Sequence, residues 1–498
     1  MANLKSLAKD TVIYGFSSIV GRFLNYLLVP LYTQSLSAAS GGYGVITNIY
    51  GYVALLLVIL TFGMETTFFR FANKSEENPN TVYSTTLIAV GVVALAFVAA
   101  VLGFLPWIAP WMGYADHPSY VGVMAVVVAI DAFQAIPFAY LRYKHKPIKF
   151  ATLKLLFIFM NIILNLFYFL WLPALYEQYP SVIGKIYDPS VGAGYAFYLN
   201  LVCTGTITFF FWKELTGIKY VLDRKLLKRM LSYSWPLLVL GIAGILNQTA
   251  DKILYPKIDP TPNGRVQLGI YGAACKIAMI MALITQAFRY AYEPFVFGKS
   301  RDKDNKETYA TAMKYFIIFT LLAFLVVIAW IDVIKYFIAS DYWEGLKVVP
   351  IVMAAEIMMG IYFNLSFWYK LIDKTIWGAY FSGIGCVVLI AINFAFVPKF
   401  GYMACAWGGF AGYGISMILS YILGQKYYPI NYPLKDIGIY TAVAAAIFAA
   451  CMLVKFDAAW LNIAYRSALV LIFVALIFKR EHLSKMLNRL PVVGKYFK

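Results

Sequence analysis

The sequence predicts an all-α, polytopic membrane protein of about 14 transmembrane helices, and three observations carry that prediction. Of the 498 residues, 62% are apolar and 13% charged, with a mean hydropathy of +0.72; soluble domains run at about 45–50% apolar and ~25% charged. Windows apolar enough to cross about 30 Å of hydrocarbon recur along the whole chain. Lysine and arginine then fill alternate connections between those windows. A water-soluble fold has no means of keeping that much hydrocarbon off its surface.

The first window, 11–34, follows Lys5 and Lys9. Thr11 to Tyr32 is longer than the apolar core of a cleaved leader and carries Arg22, Asn25 and Pro30, so it reads as a membrane helix. Windows 43–69, 80–105, 119–141, 148–172 and 191–212 complete a first group of six. A basic stretch, 213–230, separates them from 232–255, 267–297, 308–331, 346–369, 375–397 and 402–424. Two more, 434–454 and 459–478, follow as an appendix. The expected organisation is a six-helix lobe over 1–212, a linker over 213–230, a second six-helix lobe over 231–426, and two extra helices with a tail over 427–498.

With the N-terminus placed in the cytoplasm, 29 of the 42 Lys and Arg fall on the cytoplasmic side, 8 on the opposite side, and five within spans. That bias predicts an even number of helices with both termini cytoplasmic. It also explains the net charge of +18 without nucleic acid, since no basic soluble module is present. A weak repeat supports two halves: Tyr43-Gly44 and Tyr271-Gly272 stand 228 residues apart, and the same offset sets Glu65 opposite Glu293. A displacement of six helices preserves orientation, so the lobes would form a parallel repeat.

The five cysteines, Cys203, Cys275, Cys386, Cys405 and Cys451, lie in apolar stretches without metal-ligand spacing and read as small buried hydrophobes. With three histidines in the chain, neither a metal site nor a bound cofactor is expected.

The opening Leu7-Ala8-Lys9-Asp10-Thr11-Val12-Ile13-Tyr14-Gly15, leading into Arg22-Phe23-Leu24, then Tyr43-Gly44 at the second span and the six-plus-six-plus-two layout, resembles one family. It is that of the polysaccharide or O-antigen flippases of the multidrug/oligosaccharidyl-lipid/polysaccharide (MOP) exporter superfamily. The resemblance implies a non-enzymatic flippase that moves undecaprenyl-diphosphate-linked sugar units across the bacterial inner membrane, for O-antigen, lipopolysaccharide, capsule or exopolysaccharide. It implies a central cationic cavity between the lobes. Membrane lipids would be partners, with polysaccharide polymerase and chain-length proteins as further candidates.

Ionisable side chains at bilayer depth cost at least ~2.5–3.5 kcal/mol to insert, so each needs a reason. Arg22 lies near the middle of span one, either paired with an acid on a neighbouring helix or facing the cavity. Lys276 and Arg289 sit thirteen residues apart on span eight and do not share one helical stripe. These three are the candidate substrate-binding residues, because guanidinium and ammonium groups suit a diphosphate. Glu293 stands one turn beyond Arg289 and offers it an intrahelical partner. Asp131, Asp251, Glu293 and Glu356 are candidates for coupling to H+ or Na+ or for counter-ions, and the sequence leaves the two roles open. Lys154 and Arg466 are expected to snorkel to the nearer surface. Most aromatics belong to interface belts and packing; Tyr14, Tyr26 and Tyr290 are candidates for sugar contact.

Two other functions fit a polytopic basic protein. A cation-coupled multidrug antiporter of the same superfamily would share the fold, but span one offers Arg22 and no acid beyond Asp10 at its mouth. A polymerase or ligase acting on lipid-linked sugars would need a sizeable outer loop with catalytic groups, and the longest outer links, around 173–190 and 256–266, are short.

Overall fold

The computed structural model describes residues 26–74, 77–299, 305–372 and 374–481; the side chains of 290, 291, 293–295 and 297–299 also lie outside the described set. The described residues form helices and no strand. The principal helices are α1 (Leu28–Ser35), α2 (Gly42–Thr61), α3 (Met64–Ala72), α4 (Pro79–Gly103), α5 (Pro118–Tyr143), α6 (Pro147–Leu166), α7 (Gly194–Phe209) and α8 (Arg224–Ile258). They continue as α9 (Pro262–Lys299), α10 (Asn305–Ala329), α11 (Val349–Leu365), α12 (Ile376–Phe400), α13 (Tyr402–Tyr427), α14 (Leu434–Leu453) and α15 (Ala459–Arg480).

Local chemistry sets many of the boundaries. Pro79, Pro118 and Pro147 stand in the first turns of α4, α5 and α6, where their missing N–H would be unpaired in any case. Asn78 and Asp223 cap α4 and α8 by accepting from backbone amides one turn in. Span two is broken where the sequence reads as continuous: Phe62 and Gly63 both take positive φ, 50° and 67°, and turn the chain between α2 and α3. Gly63 accepts that conformation freely, whereas Phe62 holds it against steric strain.

Twelve helical stretches among the described residues are long and apolar enough to cross a membrane, one in each of the expected windows except the first and sixth. The first window lies largely outside the described residues, and the sixth forms the 16-residue α7. The protein is thus an all-helical, multi-pass membrane protein.

The chain divides into two compact units, one of residues up to Ala273 with Cys386–Gly408, the other of Ala274–Gly385 with residues from Gly409 onward. Three helices, α9, α12 and α13, contribute to both. In the first unit, α2 crosses the start of α9 at glycine: a Cβ on Gly44 would lie 2.0 Å from the Arg265 carbonyl oxygen, so only glycine admits this approach. A core of Met64, Phe68, Phe71, Leu87 and Met230 surrounds the stacked rings of Tyr83 and Tyr140, 3.9 Å apart. In the second unit, α14 and α15 pack on α10, and Trp368, Tyr362, Tyr369 and Phe381 form a buried aromatic core.

Candidate functional site

In the first unit a carboxylate stands within a span at the meeting of three helices. Thr204 Oγ1 on α7 approaches Asp131 Oδ1 on α5 at 3.3 Å and Asn200 Oδ1 at 3.2 Å, one proton serving both. Asn200 Nδ2 donates to Tyr50 Oη on α2 at 2.8 Å. Gln134 Nε2 donates to the Thr204 carbonyl at 2.7 Å and to Thr208 Oγ1 at 2.8 Å. The spacing explains the assembly: Asn200, Thr204 and Thr208 recur every fourth residue and form one polar stripe of α7, which Asp131 and Gln134 meet from α5. Lys154 on α6 lies within electrostatic reach of Asp131. Its ammonium sits 4.0 Å above the ring of Phe138, itself buried. The expectation of snorkelling therefore gives way to an inward ammonium held by a ring and a carboxylate field.

Asp251 is buried on α8 and accepts from Tyr271 Oη at 2.6 Å. The Lys252 ammonium lies 3.1 Å from both of its oxygens. The first unit thus holds two satisfied intramembrane acids rather than a bare charge.

In the second unit, Lys276 and Arg289 project from α9, about 20 Å apart along its axis by helical rise. Lys276 is partly buried, Arg289 is exposed, and its guanidinium lies 5.0 Å from the Phe363 ring of α11. Glu356 is half-buried on the same α11. Arg466, expected to snorkel, is buried and donates from Nη1 to Asp332 Oδ2 at 2.8 Å, with Lys335 on the carboxylate's other oxygen at 3.8 Å. The second unit also contains an apolar cavity of about 420 Å³ among α10, α11, α13 and α14, lined by Met313, Ile317, Met358, Met417, Tyr421 and Tyr432. Its walls suit hydrocarbon.

Arg22 and Tyr14 lie outside the described residues, and so do the side chains of Glu293 and Tyr290. Tyr26 is half-buried near the start of the described chain. Among the described residues, no three His, Cys, Asp or Glu side chains gather to hold a metal.

Sequence reasoning missed the partners rather than the charges. The Asn200–Thr204–Thr208 stripe was available as a four-residue periodicity next to an intramembrane acid. The acids that receive Arg466 and Lys314, Asp332 and Glu481, stand 134 and 167 residues from them. Only the fold brings such residues together.

A family model described as "Polysaccharide biosynthesis protein" matches residues 7–290. Among solved structures, the lipid II flippase MurJ in its inward closed conformation is 16% identical, with a TM-score of 0.69 over 95% of this chain and 99% of that one. An inward-facing MATE family multidrug resistance transporter of the MOP superfamily is 16% identical, with a TM-score of 0.60 over 84% of this chain and 94% of that one. A MOP superfamily transporter from Pyrococcus furiosus, described by the reverse polarity of its binding pocket, is 15% identical, with a TM-score of 0.53 over 84% and 95%. At these identities the likeness is one of fold. No curated protein matches the chain in sequence. The chain shares its fold with MurJ and the MATE transporters, and with the family model spanning more than half its length it belongs to the polysaccharide biosynthesis protein family.

Proposed function

We propose that the protein is a flippase that translocates undecaprenyl-diphosphate-linked oligosaccharide, an O-antigen, capsule or exopolysaccharide unit, across the bacterial inner membrane by alternating access. The observation that carries this reading is the family match over residues 7–290, joined to a MurJ-like fold along nearly the whole chain. The chemistry agrees with it. Span one carries Arg22 and span eight Lys276 and Arg289, and a diphosphate needs cations at membrane depth. The apolar cavity of the second unit matches the other half of such a substrate, a polyprenyl chain. Both termini lie in the cytoplasm, and H+ or Na+ couples the cycle through the intramembrane acids, among them Asp131 with its Thr204–Asn200 hydrogen bonds.

A second reading, a cation-coupled multidrug antiporter, draws on the MATE-like fold and on that same intramembrane acid. The two readings part at the cations. In a flippase-null strain, the triple variant Arg22→Ala/Lys276→Ala/Arg289→Ala should leave lipid-linked precursor on the inner leaflet at normal protein levels. Arg22→Lys should impair flipping less than Arg22→Ala, because it keeps the charge and loses only the planar fork. Full surface polysaccharide from the triple variant would exclude the cationic mechanism.

A further inference from the structure

The basic stretch between spans six and seven is an ordered strap rather than a loose tether. Its backbone is fastened to the first unit: Ser84 Oγ lies 3.0 Å from the Val221 carbonyl oxygen and accepts from the Val221 amide at 2.7 Å, and the Asp223 amide donates to Thr85 Oγ1 at 3.2 Å. Tyr83 Oη donates to the Glu214 carbonyl at 3.2 Å. Phe211, Leu226 and Met230 are fully buried and anchor the two ends.

The outer face of the strap is of opposite character. Trp212 is 67% exposed, Tyr220 56% and Leu222 43%, and they alternate along the chain with Lys213, Lys219, Arg224, Lys225 and Lys228, all exposed. The strap's two acids are both engaged inward. Glu214 is buried between Lys149, at 2.5 Å, and Lys146, at 3.7 Å. Asp223 Oδ1 caps α8 by accepting from the amides of Lys225 and Leu226, at 2.9 and 3.0 Å. The fold therefore withdraws the negative charge from this surface and leaves five cations interleaved with apolar side chains, where α7 gives way to the membrane-crossing α8.

We propose that this strap is a binding surface for anionic phospholipid headgroups of the leaflet it borders. The cations would contact phosphates while Trp212, Tyr220 and Leu222 settle among the headgroups. Positive charge beside a span meets a negatively charged membrane surface there, and aromatic rings prefer that depth. This inference goes beyond the transported substrate and holds for either reading of function.

The test uses the full-length protein in detergent, titrated with phosphatidylglycerol or phosphatidylcholine and followed by intrinsic lipid-binding stoichiometry in native mass spectrometry. Phosphatidylglycerol should bind preferentially, and each neutralised cation should weaken it about fivefold before screening. The variant Lys219→Gln/Lys225→Gln/Lys228→Gln is thus expected to lose at least about tenfold. The matching Lys→Arg triple should retain the wild-type affinity, and Lys399→Gln/Lys455→Gln, remote in sequence, should be silent. Should the Gln triple fail to fold, 0.5 M salt on the wild-type protein must produce the same loss. Equal affinity for the two lipids, or an unchanged phosphatidylglycerol affinity in a folded Gln triple, overturns the proposal.

Discussion

Arg466 shows what a charge inside a span requires. Its guanidinium is buried, and the carboxylate that satisfies it belongs to Asp332, 134 residues earlier in the chain. Removing one member of such a pair strands the other in a poor solvent for ions, whereas removing both does not. Asp332→Ala is therefore expected to destabilise the protein by about 2–4 kcal/mol. Asp332→Ala with Arg466→Leu should recover most of that loss, as read from thermal unfolding of the purified protein in detergent. Equal losses in the single and double variants would mean that the pair contributes nothing through its charge. At this scale the sequence located the intramembrane charges but not their environments. Arg466 and Lys154 read as snorkelling side chains because each stands near an end of its span. The acid of one and the ring and acid of the other come from different helices, so no local pattern announces them.

The helices themselves were largely legible, because length and apolarity are written locally. The windows at 119–141, 402–424 and 434–454 correspond to α5, α13 and α14 within a few residues. What escaped was their interruption and extension. The Phe62–Gly63 turn rests on φ values that tertiary packing imposes, and α8 runs 35 residues because Asp223 caps it well before the apolar window opens. The α14–α15 hairpin, an appendix in sequence, is bound to α10 at both ends. Arg466 meets Asp332 just beyond one end. At the other, Glu481 accepts from Lys314 Nζ at 2.6 Å and from Tyr440 Oη at 2.9 Å. Partial burial pushes the Glu481 carboxyl up, but the bonds from Lys314 and Tyr440 outweigh it and hold the group below its usual 4.5. A carboxylate with a depressed folded pKa contributes stability that is present above the ordinary value and is lost as pH falls through the folded one. The acid limb of unfolding, below about pH 4.5, should therefore be shallower in Glu481→Gln than in the wild type, with stability lower at neutral pH. Superimposable pH profiles would show that the hairpin is held by apolar packing alone.

For the whole molecule, composition alone sufficed to exclude a soluble fold, since no arrangement of a chain 62% apolar clears its surface of hydrocarbon. The topology rests on a count rather than on any single residue. Lys and Arg divide 29 to 8 between alternate connections, and translocation of short basic loops is disfavoured, so the two ends should share one side of the membrane. The two windows not among the twelve crossing helices bear on the parity. If α7, only 16 residues long, failed to cross, every later connection would change sides and the charge bias would invert from the strap onward. A helix of that length spans about 24 Å, short of the ~30 Å hydrocarbon core. It reaches across only with its flanking residues, and Phe210, Phe211 and Trp212 are the apolar extension that supplies them. The topology therefore turns on whether the sixth window crosses. A reporter active only outside the inner membrane, fused after Lys498, should stay silent, and fusions at Lys185 and Lys219 should be active and silent respectively. Activity at both Lys219 and Lys498 would mean that α7 is re-entrant, and that the even-numbered arrangement predicted from the charges is wrong.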